Sequence, residues 1–214
     1  DLEDAVAPDA KEAARTNITE WLGTRQTIAP ILIRINGIST PWHEADLELL
    51  KLPNLAGVML PKTENVSKLS SLREQLRSRQ ELHALVESVA GLVNLRAIAA
   101  TAGLTRIGFG AVDFANDAGI QGSDRELDYV RSQFVIESRF AGLPAPIAGA
   151  TLAIEDETLL AAEVRQAKQF GFGAKLCIHP RQVPVVQCGF APSAEERDWA
   201  KRVLAAVENS PHGA

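Results

Sequence analysis

The feature that most constrains this chain is an alternation of short apolar runs with longer segments of helical periodicity. The runs ILIRIN (31–36), GVMLP (57–61), LHALV (82–86), TRIGFG (105–110), PIAGA (146–150) and KLCIH (175–179) predict strands, and DLEDAV (1–6) reads as the end of a seventh. Several of these runs are continuously apolar, as strands covered on both faces are, so the sheet is predicted to be parallel.

Between the runs lie predicted helices. One starts at Pro8 and passes through Lys11, Ala14 and Ile18 to Leu22, where Gly23 is expected to stop it. Others are predicted at about 41–52, 65–79, 89–100, 123–141, 155–170 and from Ser193 to about Glu208, with capping-box spacing at Ser123/Glu126 and Ser193/Glu196. Trp199, Val203 and Val207 form an apolar stripe, so segment 193–210 is predicted to pack on the barrel or on a neighbouring subunit. Seven strand–helix units without a linker predict a single domain over residues 1–214, an α/β TIM (β/α)8 barrel. Such a barrel has eight strands, so the first β/α unit is expected to be missing ahead of Asp1.

Charge and cysteine content narrow the partners. Twenty-seven acids against 22 Lys and Arg give a net charge of −5, which excludes a global field for nucleic acid or an anionic membrane. An anionic ligand must then be held locally. Cys177 and Cys188 make no disulfide framework and favour a reducing, cytoplasmic setting, with Cys177 read as packing. The stretch Leu82–Leu104 is interrupted by His83, Glu87 and Arg96 and predicts no membrane span.

In a parallel barrel the chemistry sits where the strands end. Those ends carry Glu3 and Asp4, Arg34 and Asn36, Lys62, Glu87, Asp113 and His179. Carboxylates gathered at one mouth raise one another's pKa unless a cation neutralises them. Glu87 and Asp113, each after an apolar run, suit a hard ion such as Mg²⁺, which takes one or two carboxylates and fills its other positions with water and substrate oxygens. Gly108 and Gly110 beside Asp113 permit close approach of backbone or ligand. Zinc is disfavoured, because His43, His83, His179 and His212 have no ligand spacing. A carboxylate after a strand also serves as a helix N-cap, and for Asp4 and Asp9 that reading stands beside the catalytic one. Lys62 reads equally as a site cation or a surface residue after a proline turn, whereas Arg34 inside ILIRIN needs a partner.

The blocks DLEDAVAPDAKEAAR, ILIRINGISTPWHEADL, GVMLPKTE, LHALVESVAGLVNL, TRIGFGAVDFANDAGI and GFGAKLCIHPRQV, in this order, resemble the citrate lyase beta subunit-like branch of the HpcH/HpaI aldolase superfamily. Relatives there include malyl-CoA and citramalyl-CoA lyases. The resemblance implies a Mg²⁺-dependent carbon–carbon lyase that splits a 3-hydroxyacyl coenzyme A thioester into acetyl-CoA plus pyruvate or glyoxylate. It implies Glu87 and Asp113 as metal ligands, Arg34 as the substrate-positioning and enolate-stabilising arginine, and Glu3 and Asp4 as acids that hold metal-bound water and order the site. Glu87 and Lys62 are expected to contact substrate with Arg34, and the assembly is expected to be a homo-oligomer, trimeric or larger. Such relatives carry an LFVPG-type unit before the DLED block and a tail whose aspartate serves as acid/base in a neighbouring site, so the general base is unassigned here. A malate synthase-like condensing enzyme, a citryl lyase subunit of a citrate lyase complex, a CoA-independent hydroxy-keto acid lyase and an inactive scaffold are the alternatives.

Overall fold

The computed structural model describes residues 1–24, 29–122 and 124–208. Six strands, β1 (Ile31–Arg34), β2 (Leu55–Leu60), β3 (Glu81–Val86), β4 (Arg106–Phe109), β5 (Ile147–Ala148) and β6 (Ala174–Lys175), form one all-parallel sheet in sequential order. Ten α-helices accompany them: α1 (Lys11–Thr24), α2 (His43–Leu47), α3 (Val66–Gln75), α4 (Val89–Val93), α5 (Leu95–Ala99), α6 (Ala111–Asp117), α7 (Asp128–Phe140), α8 (Glu157–Phe170), α9 (Gln182–Phe190) and α10 (Ala194–Glu208) among the described residues.

Both faces of the sheet are covered, which is why its strands read as continuous apolar runs. On one face Leu82, Ala84 and Val86 of β3 join Leu69 and Leu72 of α3, Leu95 and Ile98 of α5, and Phe134 of α7 in the main core. On the other, Met59, Leu85 and Ile147 form a separate cluster. Leu32 and Arg34 of β1 and Leu176 beyond β6 line one cavity of about 710 Å³. In a flat sheet those edge strands would lie about 24 Å apart, so the sheet curls around the cavity as the wall of a (β/α) barrel does.

Residues 1–6 take a turn beside β1 rather than a strand, and the Leu2 N–H donates to Arg34 O at 2.9 Å. Gly23 does not stop α1, which runs on to Thr24. The segment 89–100 is two helices because Asn94, with ψ 3°, interrupts it. The run predicted as strand 175–179 is a strand only to Lys175; the Leu176 N–H still donates to Ala148 O at 2.9 Å, but the Ile178 N–H is taken by the Gln182 side chain at 2.9 Å instead of a neighbouring strand. The Ser193/Glu196 capping box forms, with reciprocal bonds of 2.7 and 3.0 Å. Ser123 of the other predicted box, and His212, lie outside the described residues. No side chain of α10 is buried, and Trp199, Val203 and Val207 are exposed. Among the described residues no helix is long and apolar enough to cross a membrane.

Candidate active site

Glu87 follows β3 directly and is buried. The neighbouring strand delivers its hydrogen-bond donor: after Leu60 and Pro61 the chain turns at Lys62, whose N–H donates to Glu87 Oε1 at 2.8 Å. Lys62 is the one non-glycine residue with positive φ, at 49°, among the described residues. On the other side Gly110 is required, because a β-carbon there would overlap the Glu87 carboxylate. Burial first, then the charges of Glu3 and Asp113, push the Glu87 carboxyl up to about 7 against the opposing pull of the Lys62 N–H and ammonium.

Asp113 was expected at a strand end, but it sits in the first turn of α6. Phe114 anchors that helix, buried edge-on against Phe109 of β4 at 5.6 Å between ring centroids. Asp113 lines the same cavity as Glu87, with Asp4, Arg34, Leu32, Met59, Leu85 and Leu176 around it.

Glu3 is the centre of a separate charge cluster. Lys62 Nζ donates to Glu3 Oε1 at 2.8 Å, and this bond raises the Lys62 pKa. Arg34 Nη1 lies 2.9 Å from Glu3 Oε2, an ion pair without hydrogen-bond alignment. Arg34 also binds Asp1 through Nε at 3.0 Å and approaches Asp4 at 3.7 Å. The acids therefore divide in two. Glu3 is neutralised by two cations, whereas neither Glu87 nor Asp113 has an ion-pair partner among the described residues.

That division bears on metal binding. No group of three or more His, Cys, Asp or Glu suited to a metal occurs among the described residues, which disfavours an all-protein zinc cage. Two carboxylates without a counter-cation at an open cavity fit an ion that takes one or two carboxylates and completes its shell with water and substrate oxygens.

Other predicted strand-end residues go elsewhere. Asn36 is buried and donates through N and Nδ2 to Asp46 Oδ2 at 2.8 and 2.6 Å. His179 does not line the cavity; its Nδ1 accepts from the Arg181 N–H at 3.2 Å. Sequence reasoning missed Lys11, which is buried and donates to Leu2 O and Glu3 O at 2.6 and 2.7 Å, clamping the turn that carries Glu3. A signal was available, since a cation in the first turn of a helix opposes the helix dipole and needs another reason to be there.

A model of the HpcH/HpaI aldolase/citrate lyase family matches residues 1–180, the stretch that carries every site residue above. The chain belongs to the HpcH/HpaI aldolase/citrate lyase family. It is thus an enzyme of a lyase family. Over its whole length it is 33% identical to a citrate lyase subunit beta-like protein of Deinococcus radiodurans, spanning 79% of that protein. Over its whole length it is also 33% identical to a (3S)-malyl-CoA thioesterase of Cereibacter sphaeroides, spanning 75% of it. Among solved structures it is similar to the protein CitE of Mycobacterium tuberculosis in complex with magnesium, acetoacetate and coenzyme A. There the TM-score is 0.80 at 33% identity, over 97% of this chain and 77% of that one.

Proposed function

We propose that the chain is a Mg²⁺-dependent carbon–carbon lyase that cleaves citramalyl-CoA or malyl-CoA to acetyl-CoA and pyruvate or glyoxylate. The observation that carries this reading is the pair Glu87 and Asp113, facing one cavity with no ion-pair partner among the described residues, while Arg34 and Lys62 are paired with Glu3 and its neighbours. Family membership and the magnesium and coenzyme A of the CitE complex support it.

Glu87 and Asp113 would hold the ion, which when bound supplies Lewis acidity toward substrate hydroxyl and carboxylate oxygens. The hydroxyl proton leaves, the C2–C3 bond breaks, the hydroxyl carbon becomes a carbonyl, and the bonding pair passes into an acetyl-CoA enolate that takes up a proton. Arg34 lines the cavity and is fixed by Asp1, Glu3 and Asp4. A guanidinium held in advance in this way stabilises an enolate oxygen without reorganising during the reaction. Glu3 and Asp4 order Arg34, Lys62 and cavity water. The half-exposed Lys62 ammonium, paired with Glu3 and not itself lining the cavity, would attract the incoming anion at longer range.

The six-stranded sheet is read as part of a closed (β/α)8 barrel in a cytoplasmic homo-oligomer, trimeric or larger. A second reading, thioester hydrolysis, is favoured by the malyl-CoA thioesterase relative. Incubation with each thioester and Mg²⁺, following oxo acid and free thiol together, tests both. Oxo acid without free thiol is the expected result. Free thiol with malate makes the protein a thioesterase, cleavage of carrier-bound citryl groups alone makes it a citrate lyase subunit, and no turnover of either thioester overturns the proposal.

A further inference from the structure

Lys62 is held at both ends. Its N–H is bonded to Glu87 Oε1 at 2.8 Å and its ammonium to Glu3 Oε1 at 2.8 Å, while its backbone has the left-handed φ of 49°. A lysine adopts that conformation only when its surroundings impose it, and such outliers gather where geometry is functional. The surroundings that impose it are visible. Glu3 is gripped through its own carbonyl by the buried Lys11 at 2.7 Å and through its carboxylate by Arg34 at 2.9 Å. On the far side, the next residue's N–H, from Thr63, is bonded to Leu85 O at 3.0 Å, and the Thr63 hydroxyl to Leu60 O at 2.8 Å. Residue 62 thus binds Glu87 through its N–H and Glu3 through its side chain.

We propose that Lys62 is a positioning residue for Glu87, acting through its backbone: the Glu3 anchor holds residue 62 in the left-handed conformation, and that conformation points the N–H that fixes Glu87 for metal binding. This rests on the reading of Glu87 as a metal ligand. It goes beyond a charge facing substrate, because the ammonium acts on the backbone of its own residue.

Two variants that lose the same charge separate backbone from charge. Lys62→Ala removes the anchor and leaves a β-carbon that disfavours positive φ, whereas Lys62→Gly removes the anchor but adopts positive φ freely. The measurement is Mn²⁺ binding to the metal-free protein by electron paramagnetic resonance, without substrate, since oxygen-ligand sites for Mg²⁺ also accept Mn²⁺. Loss of a group that orients a metal ligand weakens binding on the order of tenfold or more. Lys62→Ala is expected to weaken Mn²⁺ by about tenfold and Lys62→Gly by less than about threefold. Equal weakening in both, or no change in either, overturns the proposal. Glu87→Gln, measured alongside, should abolish binding; if it does not, the metal reading itself fails, and that failure is distinct from a null result at Lys62.

Discussion

At the scale of single residues, the Glu87 carboxyl of the metal-free protein keeps its proton to higher pH than an ordinary carboxylate. Its pKa is raised from 4.5 to about 7 by burial and by Glu3 and Asp113. A raised folded-state pKa contributes stability that is fully present below the unfolded value and lost as pH rises through the folded one. Metal-free protein should therefore lose stability between about pH 4.5 and about 7, by up to about 1.4 kcal/mol per pH unit, and Glu87→Gln should flatten that loss. Thermal melts of the two proteins across this range check it; parallel curves would contradict it. Metal must displace the same proton, so apparent Mn²⁺ affinity should fall about tenfold per pH unit below about 7. At Gly110 the prediction is steric. Gly110→Ala drives a β-carbon into the Glu87 carboxylate, and Mn²⁺ titration should show binding weakened by about tenfold or more.

At the scale of elements, α1 carries two cations one turn apart that fasten two loops of the site. Lys11 holds the Glu3 turn, and Arg15 donates to Asp46 at 3.0 Å, which in turn holds the Asn36 backbone. Asp46 is fully buried, so Asp46→Ala strands Arg15 and two Asn36 donors and should cost about 3 kcal/mol. Urea denaturation measures this, and a cost below about 1 kcal/mol would show that the network is not what holds the loops.

These elements also show what the sequence makes legible. Glu87 stands out because a carboxylate interrupts an apolar run where another apolar residue is expected. Asp113 is visible as a residue, but its element is not, because GAVDF is apolar at both strand and helix period, and the helix it forms packs Phe114 edge-on against Phe109. The helix α9 escapes notice since Pro184 and β-branched valines depress its propensity. Its burial of Val186 with Leu160 and Val164 of α8 overrides that preference. Lys11 and Asp46 have partners 8 to 31 residues away, so although the helix-start position of Lys11 marks it as unusual, no local pattern names the groups either residue binds. The parallel sheet was legible because burial on both faces writes itself into each strand; the early end of β6 was not, since it depends on the Gln182 side chain capturing the Ile178 N–H.

For the whole molecule, the exposed face of α10 predicts assembly. Helix α10 exposes Trp199 at 61% and Val207 at 64%, with Val203 between them on the same stripe. A contiguous apolar stripe of this kind is characteristic of surfaces that another chain covers. Light scattering coupled to size exclusion should give a mass of three or more times 23.0 kDa, and Trp199→Gln combined with Val203→Gln should lower it. A monomer at micromolar concentration would contradict the proposed assembly while leaving the site untouched. The site is tested most directly by diffraction from crystals grown with Mn²⁺, using its anomalous scattering. One strong peak is expected between the carboxylates of Glu87 and Asp113, at about 2.2 Å from an oxygen of each. A peak elsewhere in the cavity, or none beside these two residues at saturating Mn²⁺, would contradict the metal assignment.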